Sequence, residues 1–322
     1  MRPGNQARPV TATSPELEAI KNLKQIGREE FILPGTSLCG GCGGLESLRL
    51  AAKVLGPKTV FVNAAGCFTL TTVFPYTPFK GSWLYTTMAG AAAGAQGVRD
   101  AIDVLIARGK LPPEDDVEVV VVAGDGSTYD MALSATSGAI FRGLDFWYFC
   151  YDNESYGNTG VQMSSATPFG ARTTTTPVSP TTREGTEHGK KDLFEIWRAH
   201  RPAYLATVSP RYPVDLTNKF LKAKRLRGPK LFLSHAPCPT GWLYDPERTA
   251  EYARLAVETG IFALKEAVNG VVSHTHVPKR RRRVEEYLRG QGRYRHLFEP
   301  TLNEDALGRI QEQVDHYWER AG

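Results

Sequence analysis

Four of the five cysteines in this chain lie in glycine- or proline-rich segments, outside the apolar runs. Two glycines separate Cys39 from Cys42, Cys67 follows a glycine, and Cys238 stands between two prolines. The fifth, Cys150, lies in an apolar run and is predicted to be a core residue. Four thiolates can hold zinc or an iron-sulfur cluster. Structural zinc sites use two closely spaced pairs, so the single close pair here favours a cluster and leaves zinc or unligated thiols as alternatives.

A second set of residues has the chemistry of a metal and diphosphate site. Gly124 and Gly126 flank Asp125, so the backbone can approach a diphosphate closely while a carboxylate faces a divalent cation. Asn153 would supply a carbonyl oxygen from the next strand end, and the backbone oxygen of Ser155 would complete the protein's share of a magnesium site. A glycine-rich turn without a ligand is the alternative.

Alternating strands and helices must position these residues. The apolar run 117–123 is typical of a strand buried on both faces of a parallel sheet, and it ends at Gly124. Ligand-bearing loops of such sheets follow the carboxyl ends of strands. The pattern predicts strands over 58–63, 117–123, 144–151, 203–208 and 230–234, helices over 88–108, 129–143, 193–200 and 213–223, and a long polar loop over 152–190.

Composition limits the class of protein. The chain has 322 residues, 41% of them hydrophobic and 23% charged, which is ordinary for a globular protein. No apolar run approaches the ~20 residues of a membrane span, and no secretory signal is visible at the N-terminus, so a cytoplasmic location without disulfides is expected. Much of the net charge of +5 comes from the basic run 279–283. Without a nucleic-acid-binding motif, that run is interpreted as solvated surface or as a contact to an acidic partner subunit.

Three parts of the chain are expected. Residues 1–29 form an N-terminal extension, residues 30–245 a cofactor-binding domain, and residues 246–322 a charged helical arm that contacts partner subunits.

Several spaced motifs resemble one family, the beta subunits of pyruvate:ferredoxin oxidoreductases. The resemblance runs from about residue 30 to about residue 300. The motifs that carry it are Cys39-Gly40-Gly41-Cys42-Gly43, Asn63-Ala64-Ala65-Gly66-Cys67, Gly124-Asp125-Gly126-Ser127, Tyr151-Asp152-Asn153-Glu154-Ser155-Tyr156-Gly157-Asn158, Ser164-Ser165-Ala166-Thr167-Pro168-Phe169-Gly170 and Ala236-Pro237-Cys238-Pro239-Thr240-Gly241-Trp242. It implies an α/β thiamine diphosphate-binding fold with a mostly parallel sheet, flanking helices and a helical C-terminal arm.

The resemblance also implies roles for individual residues. A [4Fe-4S] cluster would be held by Cys39, Cys42, Cys67 and Cys238, with Cys67 also close to the thiamine. The remaining roles are Mg²⁺ binding by Asp125, Asn153 and the Ser155 carbonyl, contact with the diphosphate by Gly124, Gly126 and Ser127, and an orientation of Asn158 toward cofactor and substrate.

The activity implied is oxidative decarboxylation of pyruvate or a related 2-oxoacid to an acyl-CoA, with electrons passed to the cluster. Coenzyme A is then a co-substrate. An alpha subunit would supply the glutamate that activates thiamine, and ferredoxin-like gamma and delta subunits would carry electrons to ferredoxin or another acceptor. A non-catalytic metal-bearing assembly subunit is the alternative of a different class, and a thiamine decarboxylase without a cluster leaves the four loop cysteines unexplained.

Departures from the family pattern bear on the substrate. Many pyruvate-type relatives carry Met and Arg where this chain has Gly157 and Met163, and related sequences often have Asn or Glu where it has Gly90 and Gly44. The loss of bulk and charge suggests the hypothesis of a larger or less polar 2-oxoacid, such as the aryl 2-oxoacid phenylglyoxylate. The alternative is that these positions do not touch substrate.

Overall fold

The protein is built on one eight-stranded sheet. The computed structural model describes residues 18–73 and 75–321; residues 1–17, most of the expected N-terminal extension, lie outside the described residues. The order of strands across the sheet is β2-β1-β3-β4-β6-β5-β7-β8, parallel from β2 to β5 and antiparallel for the last two. The strands are β1 Thr59–Ala64, β2 Ser82–Thr86, β3 Glu118–Gly124, β4 Trp147–Asp152, β5 Tyr204–Val208, β6 Lys230–His235, β7 Leu264–Val268 and β8 Val271–His276.

Helices cover both faces of the sheet. They are α1 Gly43–Leu55, α2 Ala91–Ala107, α3 Leu133–Phe141, α4 Leu193–Ala199, α5 Pro213–Lys224, α6 Pro239–Trp242, α7 Thr249–Glu258, α8 Val284–Leu288 and α9 Glu304–Ala321.

The valine run of β3 explains its central place. Alternate side chains of a strand point to opposite faces. Val119 and Val121 pack with α2, α3 and α4, whereas Val120 and Val122 pack with α1 and α5. An unbroken apolar run is therefore needed, and it is the run that predicted a parallel strand.

The predicted elements agree with the structure, but the central domain also contains α1, β2 and α6, which were not predicted. The edge strand β2 was not predicted, because its short sequence Ser-Trp-Leu-Tyr-Thr stands among turn residues and three of its five residues are exposed. The predicted helix over 129–143 is divided: a π-helical turn at Gly126–Met131 precedes α3. Turns of this kind often occur at functional sites.

The C-terminal region, residues 246–322, is mostly helical as expected, but it also contains β7 and β8, which extend the sheet. Its helices share a third core with the central domain, in which Phe169, Ala171 and Trp242 pack with side chains of α7, α8 and α9. The region therefore packs against the central domain and extends its sheet. The added strands were not predicted; β8 is an edge strand whose residues are mostly exposed.

The basic run 279–283 lies at the surface of this region. Three of its arginines form ion pairs with carboxylates of the same chain. Arg281 pairs with Asp315 at 3.7 Å, and Arg283 pairs with Glu285 at 2.8 Å. Arg282 pairs with Glu286 at 2.7 Å and with Glu258 at 3.1 Å. This agrees with the interpretation as ordinary surface. In the described part of the chain no helix combines the length and the apolar character needed to cross a bilayer.

Candidate cofactor site at four adjacent strand ends

The predicted site residues follow the carboxyl ends of strands that are neighbours in the sheet. Cys67 follows β1, Asp125 follows β3, Asn153 follows β4 and Cys238 follows β6, and the sheet places these strands in the order β1-β3-β4-β6. Residues that are up to 171 positions apart, from Cys67 to Cys238, are thus brought to one edge of the sheet. Parallel sheets bind ligands at this edge.

Three oxygens converge where a cation was expected. The side-chain oxygen position of Asn153 lies 2.8 Å from Asp125 Oδ1 and 2.7 Å from the Ser155 carbonyl oxygen. Rotating the amide would place its NH₂ group there and satisfy both oxygens with hydrogen bonds. Unrotated, three oxygen acceptors face one another with no donor placed between them, which is the arrangement that a hard divalent cation stabilises. These three residues therefore fit a magnesium ion.

The carboxylate of this group is fully buried. Ser164 Oγ donates to Asp125 Oδ2 at 2.5 Å, and the Asn153 backbone N–H donates to Asp125 Oδ1 at 3.3 Å. Burial and the negative charge of Asp152 raise the pKa of Asp125 well above its ordinary value. A bound divalent cation would oppose both effects and hold the group ionised.

A cavity of about 150 Å³ opens beside these oxygens. Ser155 Oγ and Tyr151 OH are buried without a hydrogen-bond partner in the described structure, and both residues line the cavity. Unsatisfied buried polar atoms of this kind indicate a polar ligand. The other lining residues are Ala65, Gly66, Cys67, Thr69, Tyr85, Met88, Gly124, Gly126, Asn153, Tyr156, Gly157, Asn158 and Thr159.

Two predicted cofactor contacts have particular positions. Asn158 is exposed and lines the cavity; its orientation toward cofactor and substrate stays a prediction. The Ser127 side chain instead donates to the Met88 carbonyl at 2.5 Å and does not line the cavity, so a diphosphate contact from Ser127 would have to use its backbone. At Gly126 a Cβ would lie 2.3 Å from the ring of Tyr156, so only glycine fits there.

The loop that carries Cys39 and Cys42 packs on the loop that carries Cys238. The backbone N–H of Gly43 donates to the Pro237 carbonyl at 3.2 Å. Thr240 Oγ1 contacts Cys39 Sγ at 3.4 Å, and the Gly241 N–H donates to Cys238 Sγ at 3.2 Å. Donors directed at sulfur are the usual surroundings of a metal-bound thiolate.

Cys67 lies between the other three loop cysteines and the oxygen site, the three converging oxygens of Asp125, Asn153 and Ser155. Its Sγ lies 3.9 Å from Asn153 Nδ2, and it lines the cavity. Burial, with the nearby Cys238 and Cys42, raises the pKa of Cys67 to about 12. Burial likewise raises the pKa of Cys42 to about 11 and that of Cys238. Thiols of this kind ionise when a metal replaces the proton.

The spacing of the thiols bears on the kind of metal. In the described residues, no three His, Cys, Asp or Glu side chains lie close enough to hold a single ion. Zinc needs all its ligands around one ion, whereas a four-iron cluster takes each thiolate on a different iron, so its ligands lie farther apart. Cys150 lies fully buried in β4, as predicted for a core residue.

Sequence reasoning missed the charged network behind the oxygen site. Lys190 Nζ lies 2.6 Å from Asp152 Oδ2 and 3.2 Å from Glu154 Oε1, and Tyr129 OH donates to Asp152 at 2.7 Å. Arg293 pairs with Glu154 at 2.6 Å. Two carboxylates and two cations therefore hold the backbone on both sides of Asn153. The unusual sequence Asp-Asn-Glu after a buried strand was the available signal.

Comparisons with known proteins agree with this geometry. Residues 64–232 match the family model described as "Thiamine pyrophosphate enzyme, C-terminal TPP binding domain". This range begins at the end of β1 and includes β2 to β5 and the first half of β6. The fold and site thus define a thiamine pyrophosphate enzyme.

Curated relatives narrow the class. The chain is 46% identical to pyruvate synthase subunit PorB of Methanothermobacter thermautotrophicus, over 90% of this chain and 97% of the relative. It is 38% identical to ketoisovalerate oxidoreductase subunit VorB of Pyrococcus horikoshii, over 94% of this chain and 96% of the relative. The chain belongs to the family of 2-oxoacid oxidoreductase subunits that includes PorB and VorB.

A solved structure supports the fold. The 2-oxoglutarate:ferredoxin oxidoreductase of Magnetococcus marinus, solved with 2-oxoglutarate, coenzyme A and succinyl-CoA bound, has a TM-score of 0.51 and 21% identity, over 68% of this chain and 77% of that chain.

Proposed function

We propose that this chain is the subunit of a cytoplasmic 2-oxoacid:ferredoxin-type oxidoreductase that binds thiamine diphosphate, Mg²⁺ and a [4Fe-4S] cluster. The reaction is oxidative decarboxylation of pyruvate or a related 2-oxoacid to acyl-CoA and CO₂, with coenzyme A as co-substrate. The observation that carries the proposal is the succession of Cys67, Asp125, Asn153 and Cys238 at four adjacent strand ends. This succession supports an electron acceptor that lies directly beside the cofactor pocket.

Each part of the site would have a separate task. Asp125, Asn153 and the Ser155 carbonyl would bind Mg²⁺, while Gly124, Gly126 and the backbone of Ser127 lie where a diphosphate would approach them. When bound, thiamine supplies the electron sink that decarboxylation of a 2-oxoacid needs. The cavity walls position substrate, and exposed Asn158 would contact it.

The four loop cysteines would hold the cluster. The sequence has one close pair and two single thiols, not the two close pairs of a structural zinc site, which supports a [4Fe-4S] cluster over zinc. Cys67 lines the cofactor cavity and contacts Asn153, so electrons would have a short path from cofactor to cluster.

The site would be completed by other chains. The described residues that line the cavity include no aspartate or glutamate, although thiamine activation needs a carboxylate. An alpha subunit would supply that glutamate, and Tyr85 of edge strand β2, 55% exposed at the cavity, lies where such a chain would contact this one. Gamma and delta ferredoxin-like subunits would carry electrons onward to ferredoxin or another acceptor.

The substrate hypothesis now rests on one position. Of the four departures from the family pattern, Gly157 lines the cavity, whereas Met163, Gly90 and Gly44 do not. Gly44 faces Tyr151, and Gly90 faces two threonine hydroxyls. The relatives are named for pyruvate and for ketoisovalerate. Pyruvate is the first substrate proposed, with phenylglyoxylate as the alternative that Gly157 favours.

The test is anaerobic copurification of the complex. We expect about four irons per chain for this subunit's cluster, bound thiamine diphosphate, and acceptor reduction that needs both a 2-oxoacid and coenzyme A. Zinc without thiamine, or a complex inert toward a panel of 2-oxoacids, would instead support a non-catalytic assembly subunit. Iron in the other subunits is separated by analysing this chain alone after reconstitution.

A further inference from the structure

A second, larger cavity lies behind the candidate cofactor site. Its volume is about 310 Å³, and none of its lining residues lines the first cavity. Successive side chains at the end of β4 point in opposite directions, which separates the two cavities. Tyr151, Asn153 and Ser155 line the first cavity, whereas Asp152 and Glu154 line the second. The second cavity lies between the sheet and the C-terminal helices.

Most of its wall is apolar. Three phenylalanine rings line it: Phe169 from a loop, Phe194 from α4 and Phe262 from the segment before β7. The branched side chain of Val314 comes from α9. Asp192 and Gln313 line its edge and are exposed, so the cavity has a route to solvent. A pocket of this size with apolar walls and a few polar groups is typical of a small-molecule site.

One cation in the cavity has no carboxylate partner. Lys265 is 8% exposed, and its Nζ lies 4.1 Å from the ring centroid of Phe194 and 5.0 Å from that of Tyr317. No carboxylate within residues 18–73 and 75–321 lies within the 4.0 Å of an ion pair with it. Burial lowers its pKa. Asp192 and Glu195 act on this ammonium only through their charges, without an ion pair, so it is incompletely stabilised and would be stabilised further by an anion that pairs with it.

The other charged groups of the cavity have ion-pair or hydrogen-bond partners. Asp152 and Glu154 pair with Lys190, and Lys191 pairs with Asp130. Asp192 caps α4 by accepting from the Glu195 backbone N–H. Lys265 is therefore the cation of this cavity wall that remains for a ligand.

A second polar atom also lacks a partner. His235 Nε2 lies 3.2 Å from Tyr287 OH, while Nδ1 is buried without a hydrogen bond within the described structure. Burial, and the positive charges of Lys190 and Arg293, lower the pKa of His235 to about 3, so the ring is neutral. One of its nitrogens is thus left to contact a polar group in the cavity.

We propose that this second cavity binds a small monocarboxylate with an aromatic or branched apolar body. Its carboxylate pairs with Lys265, its body lies against the phenylalanine rings, and a second polar group reaches His235. Because Asp152 and Glu154 line the cavity on either side of Asn153, a ligand there lies directly behind the candidate magnesium site. The site is separate from the place where the reaction is proposed to occur.

The test uses the full-length chain without thiamine, so its result does not depend on the proposed activity. The probes are 3-phenyllactate, 3-phenylpropionate and 3-phenylpropionamide, which lack the keto group of a 2-oxoacid. Calorimetry should detect saturable binding of both acids, weaker or no binding of the amide, and tighter binding of the acid that carries the hydroxyl.

The matched variants locate the binding. Lys265→Met should weaken binding of both acids about tenfold or more, the size expected for loss of a charged hydrogen bond. It removes an unpaired buried charge, so folding should survive. Val314→Trp should fill the cavity and also reduce binding, whereas Lys279→Met at the surface should not. No heat at millimolar acid, equal binding of acid and amide, or unchanged binding by Lys265→Met would overturn the proposal.

Discussion

Arg293 and Glu154 form a buried ion pair, with Arg293 Nη2 donating to Glu154 Oε2 at 2.6 Å. Glu154 stands between Asn153 and Ser155, whose oxygens converge at the candidate magnesium site. Its φ of 65° lies in the left-handed region that non-glycine residues seldom adopt. The C-terminal region thus holds a strained backbone position within the central site.

Replacing Arg293 should destabilise the whole protein. Arg293→Met leaves Glu154 buried with Lys190 alone, and breaking a buried pair typically costs about 3 to 5 kcal/mol. Urea unfolding would measure the change in the free energy of unfolding. Arg295→Met, which removes an exposed pair with Glu299, is the matched control and should have little effect. An Arg293 variant as stable as wild type would contradict the importance of the pair.

Because of the same ion pair, the free energy of unfolding should depend on pH in the acid range. Burial alone would raise the pKa of Glu154, but Lys190 and Arg293 outweigh it and lower the pKa to about 2, from an ordinary value of 4.5. The folded pKa is depressed, so the ionised group stabilises the fold above pH 4.5 and this contribution is lost as pH falls toward 2. The contribution is on the order of 3 kcal/mol.

Glu154→Gln isolates that contribution. We expect the difference in free energy of unfolding between wild type and the variant to be largest near neutral pH and to shrink between pH 4.5 and about 2. Urea titrations at several pH values measure it. A difference that stays constant across this window would mean that Glu154 titrates alike in both states.

Asp125 should be needed for cofactor binding. Asp125→Asn removes the one carboxylate of the three converging oxygens, so Mg²⁺-dependent binding of thiamine diphosphate should weaken by more than the ~10- to 100-fold that loss of an outer-shell partner causes. Calorimetry with and without Mg²⁺ measures this. Asp115→Asn, at an exposed ion pair, is the control. Equal affinity in both variants would place the metal elsewhere.

Cys238 should affect the iron and not the thiamine. Cys238→Ser is expected to lower iron content and abolish acceptor reduction, while thiamine diphosphate binding stays close to wild type, because Cys238 does not line the cofactor cavity. Iron analysis, visible absorption and calorimetry measure the three properties. Cys150→Ala, in the buried strand β4, should keep its iron. Normal acceptor reduction by Cys238→Ser would refute its role as a ligand.

Gly157 should influence the size of substrate accepted. A Cβ there would lie 2.9 Å from Asn153 Nδ2 and 3.5 Å from Cys67 Sγ, so Gly157→Ala narrows the cavity. If phenylglyoxylate is turned over, its kcat/KM should fall more than that of pyruvate. Gly97→Ala, with no atom within 4 Å of its Cβ, is the control. If kcat/KM falls for neither substrate, or falls equally for both, Gly157 does not select between them.

The sequence predicted those parts of the site that local patterns encode. The apolar run of β3 and the glycines around Asp125 predict a strand that ends in a turn at Asp125, and the structure has this strand and this turn. The partner of Glu154 could not be predicted, because Arg293 lies 139 residues away in a region with no strong pattern. Strands β7 and β8 were missed for a related reason: they add to the sheet through tertiary pairing, which short polar sequences do not signal.

The order of strands also determines when the four loop thiols can meet. Cys39, Cys42 and Cys67 precede β3, but Cys238 follows β6, which pairs with β4 in the middle of the sheet. During synthesis, a chain that ends before residue 230 has neither the last sulfur nor the strand that precedes it. Contacts so distant in sequence form late in folding. Metal insertion at this position would therefore follow closure of the central sheet, and iron content would report on completed folding of the chain.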